Sequence, residues 1–204
     1  MEDFNAIAKG FDTDRRQARA KIIAAAIRDA LPESVRTGIE FGCGTGLIGL
    51  QLRDRFDALL LTDLYDGMIA ELEKKLSALN DPHLSARCCD LVDDPPADLR
   101  ADCIFSSMVL HHVQDVDKAL ISMRGLLNEG GRLIIIDLCP DDGSFHLEYP
   151  DFNGHDGFDP IALCERAAHA GFRDAKIEII FSDTKVIRGE EKTYSLFLLS
   201  AIAS

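Results

Sequence analysis

No run of apolar residues in this chain approaches the roughly 20 needed to cross a bilayer, which excludes a helical membrane span. The opening stretch, MEDFNAIAKGFDTDRR, lacks the basic-then-apolar pattern of a secretion signal, so the cytoplasm is the expected compartment. The cysteines Cys43, Cys88, Cys89, Cys103, Cys139 and Cys164 include no C-x-x-C pair, and no histidines stand at zinc-like spacing. Adjacent Cys88 and Cys89 would point to opposite faces of a strand, so no metal site is expected and the thiols read as reduced and mostly buried. Positive charge is scarce too. Lysines and arginines number 22 against 35 acids, and the net charge of −13 repels a nucleic-acid backbone and favours a small-molecule partner. The nearest thing to a basic patch, Arg15, Arg16, Arg19, Lys21 and Arg28, alternates with alanine and isoleucine at helical spacing and reads as a solvated helix face.

There is no repeat, low-complexity tract or long linker. At 204 residues the chain has material for one sizeable core, so a single domain over 1–204 is expected, with an N-terminal helical segment over 1–32. Its oligomeric state is left open. What the chain does have is alternation of aliphatic runs with helical patterns. Residues 14–31 set Ile22, Ile23, Ala26, Ile27, Ala30 and Leu31 on one stripe, and Pro32 marks the stop. TGIEF is a short strand, 46–55 the helix after it, and DALLLTD a buried strand. Met68, Ile69, Leu72, Leu76 and Leu79 then mark a helix. HLSARCCD and DCIFSSMVL read as strands, 116–127 as a helix stopped by NEGG, and RLIIID as a strand. After a long loop come a helix over 160–170, with Gly171 as C-cap, and the strands AKIEIIF and TYSLFLLSAI. Such alternation specifies an α/β fold, a mainly parallel sheet with helices on both faces. Ligands of such sheets bind beyond the carboxyl ends of the strands.

The stretch IEFGCGTGLIGL offers two registers there. Gly44, Gly46 and Gly49 form the G-x-G-x-x-G of a dinucleotide site, whereas Glu40, Gly42, Gly44 and Gly46 form E-x-G-x-G-x-G. The strand ends at Phe41, which makes Gly42 the first turn residue and favours the second register. A carboxylate at Glu40 repels a pyrophosphate but suits a ligand bearing an ammonium and a sulfonium. No lysine follows the glycines, which excludes a P-loop. Asp63 closes the second strand where a carboxylate can accept both ribose hydroxyls, and Asp90 closes the third, where it can accept an exocyclic adenine amine.

With these residues in place the chain resembles a class I S-adenosylmethionine-dependent methyltransferase of the small-molecule type. EFGCGTG is similar to the first motif of that family, Asp63 to the second, CCDL (88–91) to the third and FSSMVLHHV to the fourth. LLNEGGRLIIID resembles the loop and strand that follow. The resemblance covers about residues 35–138 and implies a Rossmann-like seven-stranded sheet of order 3-2-1-4-5-7-6 with strand 7 antiparallel. It implies S-adenosyl-L-methionine as cofactor and S-adenosyl-L-homocysteine as product. Gly42, Gly44 and Gly46 would border the methionine part, with Glu40 reaching its amine. Asp63 would hold the ribose, Asp90 the adenine with Leu91 nearby, Leu64 and Met68 would flank the adenosine, and Ser106 would complete the binding set.

Methyl transfer is an in-line displacement in which the protein mainly aligns acceptor, methyl and sulfur, and a base is required only where the acceptor must lose a proton. Acceptor candidates are His111 and His112 after the fourth strand, and His146, Tyr149 and Asp156 in the aromatic loop 139–158, read as a lid. His155 is the expected base, being an imidazole between two glycines that would hinge. The fourth motif lacks the N/D-P-P-Y/F of amino-methylating nucleic-acid enzymes. Ser106 stands where metal-dependent catechol-type enzymes need an aspartate, so Asp141 and Asp142 read as a turn. Cys43 and Cys139 alone do not make thiol-dependent arsenic chemistry. The competing readings are an NAD(P)-dependent oxidoreductase on Gly44, Gly46 and Gly49, and a catalytically silent S-adenosylmethionine-binding protein.

Overall fold

One seven-stranded sheet runs through the protein, with β1 at Thr37–Phe41, β2 at Ala58–Asp63, β3 at Leu84–Cys88, β4 at Ala101–Ser107, β5 at Leu127–Leu138, β6 at Phe172–Ile187 and β7 at Glu190–Ala203. The order is β3-β2-β1-β4-β5-β7-β6, as the family resemblance implied. β1 to β5 pair in parallel, while β7 lies antiparallel to both β5 and β6. The computed structural model describes residues 4–149 and 151–204. The first three residues of the expected N-terminal segment and Pro150 of the expected loop lie outside the described residues.

The central strands are apolar throughout because both their faces are covered. Alternate residues divide accordingly. Ile104, Leu133, Ile135, Phe197 and Leu199 belong to one core layer, under α5 (Val116–Leu126) and α6 (Pro160–His169). Cys103, Phe105, Ile134, Ile136 and Leu198 belong to the other, under α2 (Asp14–Ala30) and α4 (Asp66–Leu79). No described helix is long and apolar enough to cross a membrane.

The local departures from the sequence reading have physical causes. The expected helix over 46–55 is reduced to a single turn, α3 (Gly49–Leu52), and a 3-10 turn over Arg53–Arg55. Gly42, Gly44 and Gly46 all carry positive φ, a conformation glycine enters freely and a helix cannot contain. NEGG is drawn into β5, which starts at Leu127 directly after α5 and is irregular opposite Ala101 and Cys103. The last two strands form a hairpin longer than their apolar runs, continuing through polar SDTKVI to a turn at Arg188 and Gly189, both at positive φ. Of the thiols only Cys43 and Cys103 are buried, and Cys88 is exposed, so burial was over-assigned.

Candidate functional site

A cavity of about 430 Å³ opens beyond the carboxyl ends of β1 to β4. Glu40, Gly42, Gly44, Asp63, Leu64, Met68, Asp90 and Leu91 all line it, which brings eight of the expected residues to one surface. The glycine turn is built by backbone pairing. The N–H groups of Gly42 and Cys43 both donate to the Thr62 carbonyl, at 2.9 and 2.8 Å, and this folds the end of β1 onto β2. A side chain at Gly42 would meet the Val109 methyl carbon at 2.4 Å, so both sterics and its φ of 74° demand glycine.

Three of the carboxylates that line the cavity are held in different ways. Asp63 accepts from the Gly44 N–H at 2.7 Å and the Tyr65 N–H at 2.9 Å, which ties the two loops together. Burial pushes its pKa up and these donors pull it back, leaving it raised. Asp90 accepts from the Val92 and Asp93 N–H groups at 2.8 and 2.9 Å, ordering the turn after β3. Glu40 is 2% exposed and accepts from the Gly49 N–H at 3.1 Å. Desolvation raises its pKa to about 8, against the Gly49 bond and with a smaller push from Asp63.

This arrangement separates the two glycine registers. Gly49 N–H, the first of α3, is directed to Glu40 and not to the cavity. Gly46, which belongs to both registers, packs on Leu72 and, against expectation, does not line the cavity. A helix start that faces a carboxylate does not receive a phosphate. A Cβ at Gly49 would stand 2.3 Å from both Glu40 Oε2 and Leu61 Cδ2. Gly49→Ala should therefore cost about 1–3 kcal/mol through overpacking. A thermal melt indistinguishable from the parent would contradict this packing role.

Other expectations need correction. Ser106 lies off the cavity, because its hydroxyl donates to the Phe41 carbonyl at 2.9 Å and stitches β4 to β1. His155 is not a cavity residue either. Its Nε2 is 3.0 Å from the Val113 carbonyl and its N–H donates to the His111 carbonyl at 2.7 Å. The flanking glycines are pinned, not hinged, since a Cβ at Gly154 would lie 2.1 Å from the His111 carbonyl and one at Gly157 2.1 Å from that of Cys139. Tyr149 and Asp156 are also absent from the cavity wall. Asp141 and Asp142 do form a turn, accepting from the Phe145 and Ser144 N–H groups at 3.0 and 3.1 Å.

His112 lines the cavity, whereas His111 and His146 are buried behind it. Burial, then the neighbouring His111 and His146, hold the His112 pKa down at about 3. Burial likewise lowers His146 to about 4, helped by His111 and Lys185. His111 Nδ1 is 2.6 Å from Asp137 Oδ1, and the Asp137 pKa is lowered because this pairing and its backbone donors outweigh burial.

Sequence reasoning missed one wall entirely. Phe4 in α1 (Phe4–Ile7), Phe11, Arg16 and Arg19 close the cavity from the N-terminal side, so two of the arginines assigned to a solvated face look inward. Asn5 accepts from the Gly67 N–H at 2.9 Å, and Asp12 bonds both Thr45 Oγ1 and, at 2.6 Å, Lys75 Nζ. These polar contacts dock the segment on the glycine turn, and only the spacing of Phe4 and Phe11 hints at it in the sequence.

Residues 39–135 match the protein-family profile described as a methyltransferase domain. An uncharacterised methyltransferase of Schizosaccharomyces pombe is 27% identical over 161 residues, which is 74% of this chain and 54% of that protein. The chain thus spans about half the length of that relative. The YcgJ protein of Bacillus subtilis has TM-score 0.73 at 13% identity, over 90% of this chain and 98% of that one. A phosphoethanolamine N-methyltransferase of Haemonchus contortus, solved with S-adenosyl-L-methionine, has TM-score 0.71 at 15% identity, over 90% of this chain and 52% of that one. At such identities these structures speak for the fold.

Proposed function

Since residues 39–135 match a methyltransferase domain and the fold is that of S-adenosylmethionine-dependent methyltransferase structures, we propose that the chain moves a methyl group from S-adenosyl-L-methionine to a small acceptor held in the same cavity. One observation carries the reading. Glu40, Asp63 and Asp90, at the ends of three adjacent strands, all face one cavity whose volume is in the range of small-molecule sites. Glu40 suits the ammonium of the methionine part, Asp63 the ribose hydroxyls and Asp90 the adenine amine. Arg16 and Arg19 suit the methionine carboxylate. Leu64, 57% exposed, offers the apolar face that an adenine ring would cover.

The bound sulfonium supplies an electrophilic methyl group. The protein contributes alignment and exclusion of water, with Phe4, Phe11, Val109 and His112 as the apolar and aromatic surroundings of the acceptor. His112 is a poor base at its lowered pKa, so the proposed acceptor arrives with a lone pair already available.

Calorimetry tests the cofactor. S-adenosyl-L-methionine and S-adenosyl-L-homocysteine should bind, and NAD and NADP should give no heat. Tighter binding of NAD would instead restore the dinucleotide register. An acceptor screen that reports S-adenosyl-L-homocysteine release then separates an enzyme from a silent binding protein.

A further inference from the structure

The histidines beside the cavity come from two separate loops. His111 and His112 occupy the 3-10 turn Leu110–His112 after β4, and His146 lies in the long connection after β5. One ring nitrogen from each lies within 4.8 Å of the other two. The ring centroids of His111 are 4.2 Å from those of His112 and 5.0 Å from those of His146. Among the described residues no other group of histidine, cysteine, aspartate or glutamate converges in this way.

Two details go beyond ordinary ring packing. The bond from His111 Nδ1 to Asp137 commits that nitrogen and directs the lone pair of Nε2 away from the carboxylate, as in a carboxylate–histidine–metal relay. Asp137 is itself fixed, accepting from the Leu138 N–H at 2.7 Å and the His111 N–H at 3.2 Å. His146 Nδ1, in turn, is buried with no hydrogen-bond partner, a state that buried polar atoms almost never keep. Its ring plane is held by stacking on Phe152, centroids 3.7 Å apart and planes 8° from parallel.

We infer that His111, His112 and His146 bind a divalent d-block ion of the zinc type, with Asp137 orienting His111 behind it. Three imidazoles and a water complete a four-coordinate shell with metal–nitrogen distances of about 2.0–2.1 Å. Tetrahedral nitrogens then stand about 3.3 Å apart, so the rings close by about 1.5 Å at most through side-chain rotation. Imidazole donors without thiolates select zinc, cobalt, nickel or copper over magnesium or calcium. The ion would join the loop carrying His146 to the body of the fold, acting as a clasp at the cavity wall. The histidine spacing gave no sign of this, because the ligands converge only through the sheet topology. The inference does not depend on which cofactor the cavity takes.

Chelator-treated protein titrated with Co(II) should develop visible d–d bands of four-coordinate intensity, saturating at one equivalent and displaced by Zn(II). His146→Phe keeps the ring stack and removes both nitrogens, and it should abolish the bands. His112→Ala, on the other loop, should do the same, so a folded sample of either variant suffices. His169→Ala, on the exposed end of α6, should bind normally. Asp137→Asn should weaken Co(II) binding about 10- to 100-fold. Zn(II) should also slow hydrogen exchange over 141–158 in the parent and not in His146→Phe. No stoichiometric bands in the parent, or bands that survive His146→Phe, overturn the site. Bands with unchanged exchange overturn the clasp. S-adenosyl-L-homocysteine binding measured on the same metal-free sample separates failure of this site from failure of the cofactor assignment.

Discussion

Replacing Glu40 by glutamine should strengthen the fold and weaken the cofactor site together. The carboxyl is buried and its pKa stands at about 8 against an ordinary 4.5, so the folded state holds a proton that the unfolded chain releases. Because the folded pKa is raised, stability is fully present below pH 4.5 and declines as pH rises toward 8, then levels. At about 1.4 kcal/mol per pH unit the decline has a ceiling of roughly 5 kcal/mol. Glutamine does not titrate, and its carbonyl can still accept from Gly49. The gap between variant and parent should therefore widen between pH 5 and pH 8 to a few kcal/mol, as read by urea unfolding. Parallel stability curves would show that Glu40 is ionised when folded. Above about pH 8, where the Glu40 carboxyl is ionised, glutamine removes a negative charge and should weaken S-adenosyl-L-homocysteine binding about 10- to 150-fold, the equivalent of roughly 1.5–3 kcal/mol for a charged hydrogen bond. The loss should be smaller at lower pH, where the carboxyl is already neutral. Undiminished affinity would reduce Glu40 to a structural partner of Gly49.

Asp63→Ala should be costly on both counts. From the sequence alone this change weakens cofactor binding and leaves the fold intact, but the structure adds a second burden. The carboxylate is the acceptor for Gly44 and Tyr65, and alanine strands both N–H groups. An unsatisfied donor costs about 1–3 kcal/mol when fully buried, and these two are half-buried at the cavity wall. The melting temperature should therefore fall by the lower part of that range, while the dissociation constant for S-adenosyl-L-homocysteine rises about tenfold to a few hundredfold. The two readouts are separable. A folded variant with parental affinity would remove Asp63 from the ribose site, and parental stability would contradict its role as the tie between loops.

How much could be read beforehand follows from where the information lies. β1, β2, β4 and β5 were legible because each has an aliphatic run buried on both faces. β3 is a largely exposed edge strand marked by little more than its place in the alternation, and the order of all five followed from family likeness. Glu40, Asp63 and Asp90 were legible because each stands at the end of one of these strands. Arg16 and Arg19 were not, since their helix carries polar residues on several sides and only the docking through Asp12 and Asn5 decides which turn inward. His155 was misjudged because glycine freedom was read as mobility, whereas Gly154 and Gly157 are small so that two carbonyls can approach. Ser106 stood in the right motif but faces β1. The distal hairpin was hidden by its charges, which obscure a period-two pattern. It still reaches the long loop, with Lys185 Nζ donating to the Phe145 carbonyl at 3.2 Å and Arg188 to that of Leu147 at 3.2 Å.

The placing of β7 between β5 and β6 has a consequence for the order in which the chain is made. Every carboxylate that lines the cavity precedes β5 in the chain, and β1 to β5 can align as soon as they emerge. β6 follows them but pairs with β7 alone, so it waits on the ribosome for a strand not yet translated. During that interval the edge of β5, with Leu133, Ile134, Ile135 and Ile136, has no neighbour on one side. An apolar edge strand of this kind is a template for pairing with other chains. A nascent chain stalled before Glu190 would thus own a nearly complete cavity and still be the species most prone to aggregate.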